Sequence, residues 1–135
     1  MSNLNISAAL EVRLAALTPA ILTSWENVNF NPVADIPYQV ATVLFAEPEN
    51  PTMGDDFYRQ RGYIQVSLRY PQNTGKAAAF ARAELLRSWF KRGLSIEAGG
   101  VITVIEKTPE VGSGTNEGDR YILNVRIRFF ANIQG

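Results

Sequence analysis

The stretch Tyr63-Ile64-Gln65-Val66-Ser67-Leu68-Arg69-Tyr70 alternates its side chains between two parities without a break. Ile64, Val66 and Leu68 share one parity, and polar residues occupy most positions of the other. Because successive side chains of a strand point to opposite faces of its sheet, the stretch predicts a strand with one buried face and one solvated face. Residues 121–130 repeat the pattern and predict a terminal strand that closes the same sheet.

Four other stretches have the composition of strands. Residues 38–46 are rich in β-branched and aromatic side chains on both parities, which predicts a central strand covered on both faces. Residues 94–98 and 101–107 flank Gly99-Gly100 and predict a hairpin, because glycine readily adopts the positive φ angles of a tight turn. Residues 25–30 alternate over a shorter span and predict a short strand.

An amphipathic helix is predicted over residues 6–17, because apolar residues recur there at intervals of three or four. Its buried stripe comprises Ile6, Leu10, Leu14 and Leu17, with Ile21 beyond it. Asn5 or Ser7 is a suitable N-cap, since its side-chain oxygen accepts a free backbone N–H of the first turn. Pro19 then ends or kinks the helix.

A second helix is predicted over residues 76–92, where Ala, Leu, Arg and Lys predominate. Asn73 or Thr74 can cap its start, and Gly93 stops it. At 100° per residue most apolar side chains gather on one arc and the charged ones on the opposite side. The apolar arc comprises Ala78, Ala79, Ala83, Leu85, Leu86, Trp89 and Phe90.

Phe80 departs from this division, because the helical wheel places it between Arg87 and Lys91 on the charged side. One interpretation is a lone exposed aromatic residue, which is common on protein surfaces. The alternative is that Phe80 and the aliphatic stems of its two neighbours anchor a contact between subunits. With Arg69 and Lys76 these residues form the predicted subunit interface.

Two long segments are predicted to be exposed loops. Residues 47–56 contain two prolines, a glycine and four acids, and residues 108–119 contain three glycines and a proline. The element order of helix, strands, helix and strands predicts an α+β domain. We expect a mostly antiparallel sheet with two main helices packed on one side, formed by residues 1–135 as a single domain.

Composition excludes several classes of chemistry. The 135 residues include thirteen basic and thirteen acidic side chains, no cysteine and no histidine. Zero formal net charge argues against binding nucleic acid by bulk charge. Without thiols or imidazoles, disulfides, Cys/His zinc sites and histidine-dependent triads are excluded. The longest apolar run, residues 40–46, is far shorter than the ~20 residues that cross a bilayer, so no membrane span is expected.

Motifs for phosphate or metal binding are incomplete. Gly75-Lys76 lacks both the following Ser or Thr and the earlier glycine of a P-loop, and residues 112–118 precede a strand where a dinucleotide loop would open a helix. The acids of the first loop lack the alternate spacing of a calcium loop. These acids are Glu47, Glu49, Asp55 and Asp56. We therefore assign no catalytic, cofactor-binding or metal-binding residue.

Charges are unevenly distributed along the chain. Residues 1–56 carry seven acids and one base, residues 57–92 eight bases and one acid, residues 93–119 five acids and one base, and residues 120–135 three bases. One interpretation is ordinary surface scatter that folding mixes. The other is a basic patch on one subunit that meets an acidic patch on the next, a head-to-tail contact that closes a ring by rotation.

The order of these landmarks resembles the tail terminator (tail completion) proteins of long-tailed bacteriophages and prophages. The resemblance rests on the amino-terminal helix, an alanine-rich helix and four short sequences. These sequences are Trp25–Phe30, Pro37–Ala41, Gly62–Pro71 and Gly118–Phe129. It implies a structural protein without enzymatic activity, whose subunits form a hexameric ring that caps the tail tube, stops tube polymerisation and presents the surface onto which the head docks.

The resemblance also implies partners and a location. The partners are further copies of the chain, the major tail tube protein and the head–tail connector, at the head-proximal end of a tail assembled in the bacterial cytoplasm. We expect the two loops to make the axial contacts, through Glu47, Glu49, Asp55, Asp56, Glu110, Glu117 and Asp119. Arg126 and Arg128 are candidates to face the lumen, where contact with DNA is at most transient and non-specific.

Two alternatives remain at this point. Another ring or adaptor of the head–tail joint, such as a head-completion protein, would have a similar composition. A small carboxylate-dependent enzyme is the second, and a buried cleft that holds two acids with raised pKa values would support it.

Overall fold

The computed structural model describes residues 2–50, 57–73 and 75–134. Two helices and eight strands account for the regular structure of that part of the chain. In chain order they are α1 (Ser2–Ala15), β1 (Leu22–Ser24), β2 (Tyr38–Phe45), β3 (Phe57–Pro71), α2 (Ala77–Trp89), β4 (Ser95–Ala98), β5 (Val101–Ile105), β6 (Glu110–Val111), β7 (Thr115–Glu117) and β8 (Arg120–Gln134).

The long strands β3 and β8 form the centre of one curled sheet. They pair antiparallel over 15 residues each, and the strand order is β1-β2-β3-β8-β5-β4. The short strands β6 and β7 pair with the same edge of β8 as β5 does, but with its first half, at residues 120–126. Within the described residues only β1 and β2 pair in parallel. The predicted α+β fold with a mostly antiparallel sheet is confirmed.

The side chains of β3 and β8 alternate between the two faces of the sheet, so the apolar side chains of both strands lie on one face. Both helices pack against that face. Ile64, Val66 and Leu68 are fully buried there, as predicted. The core also contains inward-facing residues of β8 and one stripe from each helix. These are Leu123, Val125, Ile127 and Phe129 from β8, Ile6, Leu10 and Leu14 from α1, and Ala79, Ala83 and Leu86 from α2.

The first helix begins earlier than its sequence pattern predicts. It runs from Ser2, so Asn5 and Ser7 lie inside it and neither is the N-cap. Asn5 instead lies against the turn between β4 and β5, where a side chain at Gly99 would come within 2.6 Å of its amide nitrogen. This close approach and a φ of 57° require glycine at position 99, and the predicted hairpin is confirmed.

The predicted strand over residues 25–30 is wrong. The strand of this region is β1, and residues 25–30 form a turn and irregular backbone in which Asn27 has a φ of 56°. The chain leaves the sheet because Glu26 folds back, and its carboxylate accepts the backbone N–H of Val43 at 2.5 Å. The Glu26 carboxylate therefore satisfies a backbone N–H of β2 that would otherwise pair with a neighbouring strand.

Strand β2 is also less covered than predicted. Its partner β1 reaches only from Tyr38 to Val40, and the side chains of Leu44 and Phe45 at the far end are 40% and 37% exposed. The prediction of a central strand buried on both faces is therefore wrong at this end. Strands β3 and β8 occupy the centre instead.

Residues 108–119 are not the plain flexible loop that their glycines predict. Strands β6 and β7 lie in this segment, with Glu110 opposite Arg126 and Thr115 opposite Ile122. Backbone pairing to β8 satisfies their polar groups. Residues 112–114 separate the two strands without detaching the segment, since Gly112 donates to the carbonyl oxygen of Asn124 at 2.9 Å. A broken strand thus runs along β8 where the sequence predicts a loop.

Helix α2 is rotated relative to the predicted arc. Ala79, Ala83 and Leu86 are buried as expected, but Leu85 is 41% exposed and Arg82 is only 4% exposed. The long aliphatic stem of Arg82 explains its place on the buried side. Lys76 is the residue at the N-cap and makes no side-chain capping bond, so the predicted Asn73 cap is wrong, whereas Thr74 lies outside the described residues.

Candidate interaction surface

Among the residues that the structure describes, no helix lies on the second face of the sheet, which carries most of the arginines of the chain. Alternation along β3 and β8 places on it every residue opposite in parity to the core, and we call this surface the helix-free face. Its charged and aromatic members are Arg59, Arg61, Tyr63, Arg69, Arg120, Arg126, Arg128 and Phe130. Arg126 and Arg128, the two candidates to face the lumen, lie there.

Aromatic rings hold several of these arginines in place. The guanidinium carbon of Arg126 lies 4.4 Å from the ring centroid of Tyr63, and that of Arg128 lies 5.9 Å from the same ring. Arg59 lies 4.9 Å from the ring of Phe130. Such stacking leaves the N–H edges of a guanidinium free to donate to carboxylates or phosphates.

Acidic side chains from distant segments neutralise part of this charge. Arg61 contacts Glu49 at 2.8 Å and Glu106 at 2.5 Å, and the hydrogen bond to Glu49 raises the pKa of Arg61. Arg128 contacts Glu110 at 3.7 Å. Folding therefore mixes charges that the sequence separates, as the interpretation of ordinary surface scatter predicts.

The connector before β2 covers one end of the helix-free face. Arg120 donates to the carbonyl oxygens of Ile36 at 2.6 Å and Val33 at 2.7 Å, and it is only 6% exposed. Arg69 and Arg120 both lie near the ring of Tyr38, at 5.9 and 5.0 Å. Arg120 holds the connector on the sheet, and the other end of the face stays open.

The residues predicted for the subunit interface do not form one patch. Arg69 lies on the helix-free face, whereas α2 packs on the opposite face of the sheet. On α2, Arg87 donates to Glu84 at 3.0 Å and to the carbonyl oxygen of Pro109 at 3.2 Å. Phe80 is half-buried and packs against the core, so it is not the exposed aromatic that the helical wheel indicates.

The exposed cations of this predicted interface flank α2. Lys76 precedes its first residue and Lys91 follows its end, and both are exposed. Neither has a side-chain partner among the residues that the structure describes. They remain available for contacts with another molecule.

The predicted axial residues are distributed along the sheet. Glu47 and Glu49 follow β2, and the backbone of Glu49 pairs with Arg59 through two hydrogen bonds of 2.8 and 2.7 Å. Asp55 and Asp56 lie outside the described residues. Glu110 lies on β6, Glu117 on β7 and Asp119 in the turn before β8. All three are exposed.

Two apolar grooves were not predicted from the sequence. The first, the α1–β4 groove, has a volume of about 340 Å³. Its lining is Ala8, Ala9, Val12, Arg13, Ala16, Ile96, Glu97 and Ala98. Val12 is 70% exposed. The sequence does contain a signal for this surface, since Leu4, Ala8, Val12 and Ala16 form a second stripe at a spacing of four.

The second groove, which we call the β2 corner, has a volume of about 480 Å³ on the open end of the helix-free face. Leu44 supplies apolar surface on the helix-free face, whereas the adjacent Phe45 borders the groove and turns its ring to the helix side, against Phe129. Cations surround Leu44. The full lining is Leu44, Phe45, Ala46, Arg61, Gly62, Tyr63, Glu106, Lys107 and Arg128. Lys107 is exposed and has no ion-pair partner among the described residues.

Two ionisable groups on the helices are perturbed by burial. Desolvation raises the pKa of Glu11, and the nearby charge of Glu26 raises it further. Burial lowers the pKa of Arg82, whose guanidinium donates to the carbonyl oxygen of Pro19. Across residues 2–50, 57–73 and 75–134, no group of three acidic side chains could hold a metal ion. Neither described helix has the length and apolar character needed to cross a membrane.

Comparison with known proteins identifies relatives of the whole fold. A family model described as phage tail terminator protein matches residues 5–129, which extend from α1 into β8. Six solved chains match this one. One of them superposes with a TM-score of 0.81 at 26% sequence identity, over 100% of this chain and 99% of its own length. No curated protein matches the chain.

Proposed function

The chain belongs to the phage tail terminator family, and from this premise we propose that six copies form a ring that caps the tail tube, stops its polymerisation and presents the surface for head docking. The family is one of structural proteins, and the chain has a structural role in the phage tail. The match over residues 5–129 carries the proposal, because it extends from α1 into β8 and includes all the elements between them.

We propose that the partners of the ring are the tail tube protein and the head–tail connector. The acidic residues along the exposed margin of the sheet would make the axial contacts. Those within the described residues are Glu47, Glu49, Glu110, Glu117 and Asp119, and Asp55 and Asp56 belong to the same proposal. Exposed carboxylates favour a partner with cationic edges and steer its approach more than they strengthen the final complex.

We propose that α2 contributes to the lateral contact between neighbouring subunits. Lys76 and Lys91 supply exposed charge at its two ends. Phe80 and Arg87 lie between them, and Arg87 is held by Pro109 and Glu84, which fixes its orientation before assembly. Arg69 would take part in the same ring from the opposite face of the sheet.

Arg126 and Arg128 are proposed to face the lumen. Tyr63 orients both guanidinium groups, and Glu110 offsets the charge of Arg128. A surface through which DNA must pass should bind phosphates weakly, and a neutral chain with partly compensated arginines meets that condition.

The proposal is tested by tube assembly in vitro. Purified tail tube protein is polymerised with and without the chain, and tube length and tube ends are examined by negative-stain electron microscopy. We expect shorter tubes with a six-fold ring at one end. Tubes that grow to the same length, with bare ends at every concentration of the chain, would contradict the proposed function. Binding to the isolated head–tail connector without any binding to tubes would instead indicate a head-completion protein.

A further inference from the structure

Five of the ten exposed large apolar side chains of the described residues lie beside β4 or at the far end of β2, and the other five lie on β1, between β1 and β2, or on α2. At the β4 end lie Leu4, Val12 and Ile102, with exposures of 58%, 70% and 53%. At the β2 end lie Leu44 and Phe45. Exposed apolar side chains on both sides of a strand edge are costly to leave in water and mark contact sites between proteins.

Both ends also present a strand edge without a partner in the described part of the chain. Strand β4 is the last strand of the sheet and pairs only with β5. Strand β2 has β1 as a neighbour only from Tyr38 to Val40, so residues 41–45 have one open edge. Open edges readily accept a further strand through backbone hydrogen bonds.

The unpaired charges of the two grooves are opposite in sign. Glu97, which pairs with Ile102, borders the α1–β4 groove from the helix-free side of β4, is exposed and makes no ion pair among the described residues, whereas Lys107 is the unpaired cation of the β2 corner. The α1–β4 groove also contains a cation, Arg13, whose guanidinium makes its contacts within its own subunit. It donates to the carbonyl oxygen of Trp89 at 2.9 Å and stacks on the Trp89 ring at 3.7 Å.

We propose that the α1–β4 groove of one subunit receives the β2 corner of a second copy, so that the open edge of β2 extends the sheet beyond β4. This inference rests on the proposed ring, for which it supplies a lateral contact besides that of α2. The two surfaces are different, so the contact is head-to-tail and repeats around a closed ring.

The alternation of the sheet accounts for the fit of the apolar side chains. Ile96 and Ala98 of β4 face the helix side, because their partners Thr103 and Val101 share that parity with the core residue Ala131. In an extended sheet Phe45 of the second copy keeps the same side and contacts Val12. Leu44 of the second copy takes the opposite side, where Ile102 is exposed.

One feature of the free chain opposes this pairing. Glu26 accepts the N–H of Val43 and so covers the middle of the open β2 edge. A charged side chain at an edge is a common guard against uncontrolled strand addition. Pairing with β4 must displace Glu26, and a tube end that aligns several subunits at once supplies the high effective concentration that favours the exchange.

Charge reversal tests the pairing of the two grooves. Glu97→Lys and Lys107→Glu, each alone, place like charges across the contact, and we expect each to lower tube capping about tenfold. The double variant Glu97→Lys/Lys107→Glu restores opposite charges and should recover capping to within about threefold of the unchanged chain. Single variants that cap normally, or a double variant that stays as weak as the singles, would overturn the proposal.

Apolar substitutions provide an independent test with a matched control. Val12→Asp and Leu44→Asp change exposed side chains on opposite sides of the proposed contact, and each should abolish ring density at tube ends. Val33→Asp changes a side chain of the connector before β2 that is 52% exposed and lies in neither groove, so it should leave ring density unchanged. Thermal unfolding of all three checks that the fold persists.

The outcomes separate this inference from the proposed function. An unchanged chain that neither forms rings nor caps tubes contradicts the proposed function itself. An unchanged chain that caps tubes, together with Val12→Asp and Leu44→Asp variants that cap equally well while folded, overturns only the groove pairing.

Discussion

Arg13 of α1 and Trp89 of α2 are joined by three contacts that connect the two helices. The indole Nε1 of Trp89 donates to the carbonyl oxygen of Arg13 at 2.6 Å, and Arg13 Nη2 donates to the carbonyl oxygen of Trp89 at 2.9 Å. The guanidinium also lies 3.7 Å from the Trp89 ring. The two carbonyls lie in the last turns of the helices, where few backbone N–H partners remain. The Arg13 carbonyl also accepts the N–H of Ala16 at 3.3 Å.

Replacing Arg13 by methionine should destabilise the fold by about 1–3 kcal/mol. The substitution keeps an aliphatic stem but removes the cation–π contact and one hydrogen bond to an otherwise unpaired carbonyl. Urea denaturation followed by tryptophan fluorescence measures the change. Arg92→Met, at an exposed position just beyond α2, is the control and should alter stability by less than about 0.5 kcal/mol.

Gly62→Ala should destabilise the sheet by about 1–3 kcal/mol, because the added methyl group has no room. A Cβ at position 62 would lie 2.2 Å from the carbonyl oxygen of Leu44 and 2.9 Å from the Phe129 ring. Gly112→Ala is the matched control, since its nearest neighbour would be 3.5 Å away, an ordinary contact. Equal thermal midpoints for the two variants would contradict this account.

Glu11 should make stability depend on pH in the acidic range. The pKa of Glu11 is raised in the folded state, so folding favours the protonated carboxyl. The stability that this protonated carboxyl contributes is fully present below the unfolded pKa of 4.5 and is lost as pH rises through the folded pKa. Glu11→Gln removes the buried charge and its repulsion from Glu26, and it should therefore raise the thermal midpoint at pH 7. At pH 3.5 the two proteins should unfold at nearly the same temperature. An equal gain at both pH values would show that burial of the charge is not the cause.

Reversing the two exposed lysines of α2 should weaken lateral contacts between subunits. The double variant Lys76→Glu/Lys91→Glu changes charge at both ends of the helix and leaves the core untouched. We expect a lower fraction of capped tubes, with an unchanged unfolding midpoint, because rim charges act mainly on association. Arg92→Glu is the charge-matched control for Lys91→Glu alone, and a capped fraction equal for these two single variants would remove Lys91 from the lateral contact.

The proposed lumen-facing arginines should give only weak, salt-dependent binding to DNA. Fluorescence anisotropy with a short labelled duplex should show a Kd of about 10⁻⁴ M or weaker at 150 mM salt. Substituting both Arg126 and Arg128 by glutamine should flatten the salt dependence, since fewer phosphate counterions are released. Arg92→Gln should leave the salt slope unchanged. Tight binding that survives high salt would contradict a surface made for transit.

Local patterns were sufficient for most elements of secondary structure. The alternation around Ile64 and Val66, the stripe of α1 and the glycine pair of the hairpin each depend on neighbours a few residues away. Those features determine which face is apolar and where the chain turns. Family resemblance could likewise be drawn from the order of these elements, because the order is a property of the sequence.

The composition of residues 108–119 resembled that of a loop because β6 and β7 are too short to form a pattern of their own. Each is stable only because β8 supplies a ready-made ladder partner. The true orientation of α2 was likewise hidden, since the stem of Arg82 fills a position that a hydrophobicity count assigns to the surface. Glu26 pairs with Val43 across 17 residues, and no local pattern encodes that contact.

What the sequence alone determined is the set of elements, their apolar faces and the absence of thiol and imidazole chemistry, because these follow from residue types and short-range periodicity. Tertiary structure decided which arginines are neutralised, as when Arg61 meets Glu49 and Glu106, and which apolar residues stay uncovered, as Val12 and Leu44 do. Both outcomes depend on which distant strands lie side by side. Long-range pairing of this kind is set by the global balance of buried area and hydrogen bonds, and no short window of sequence contains it.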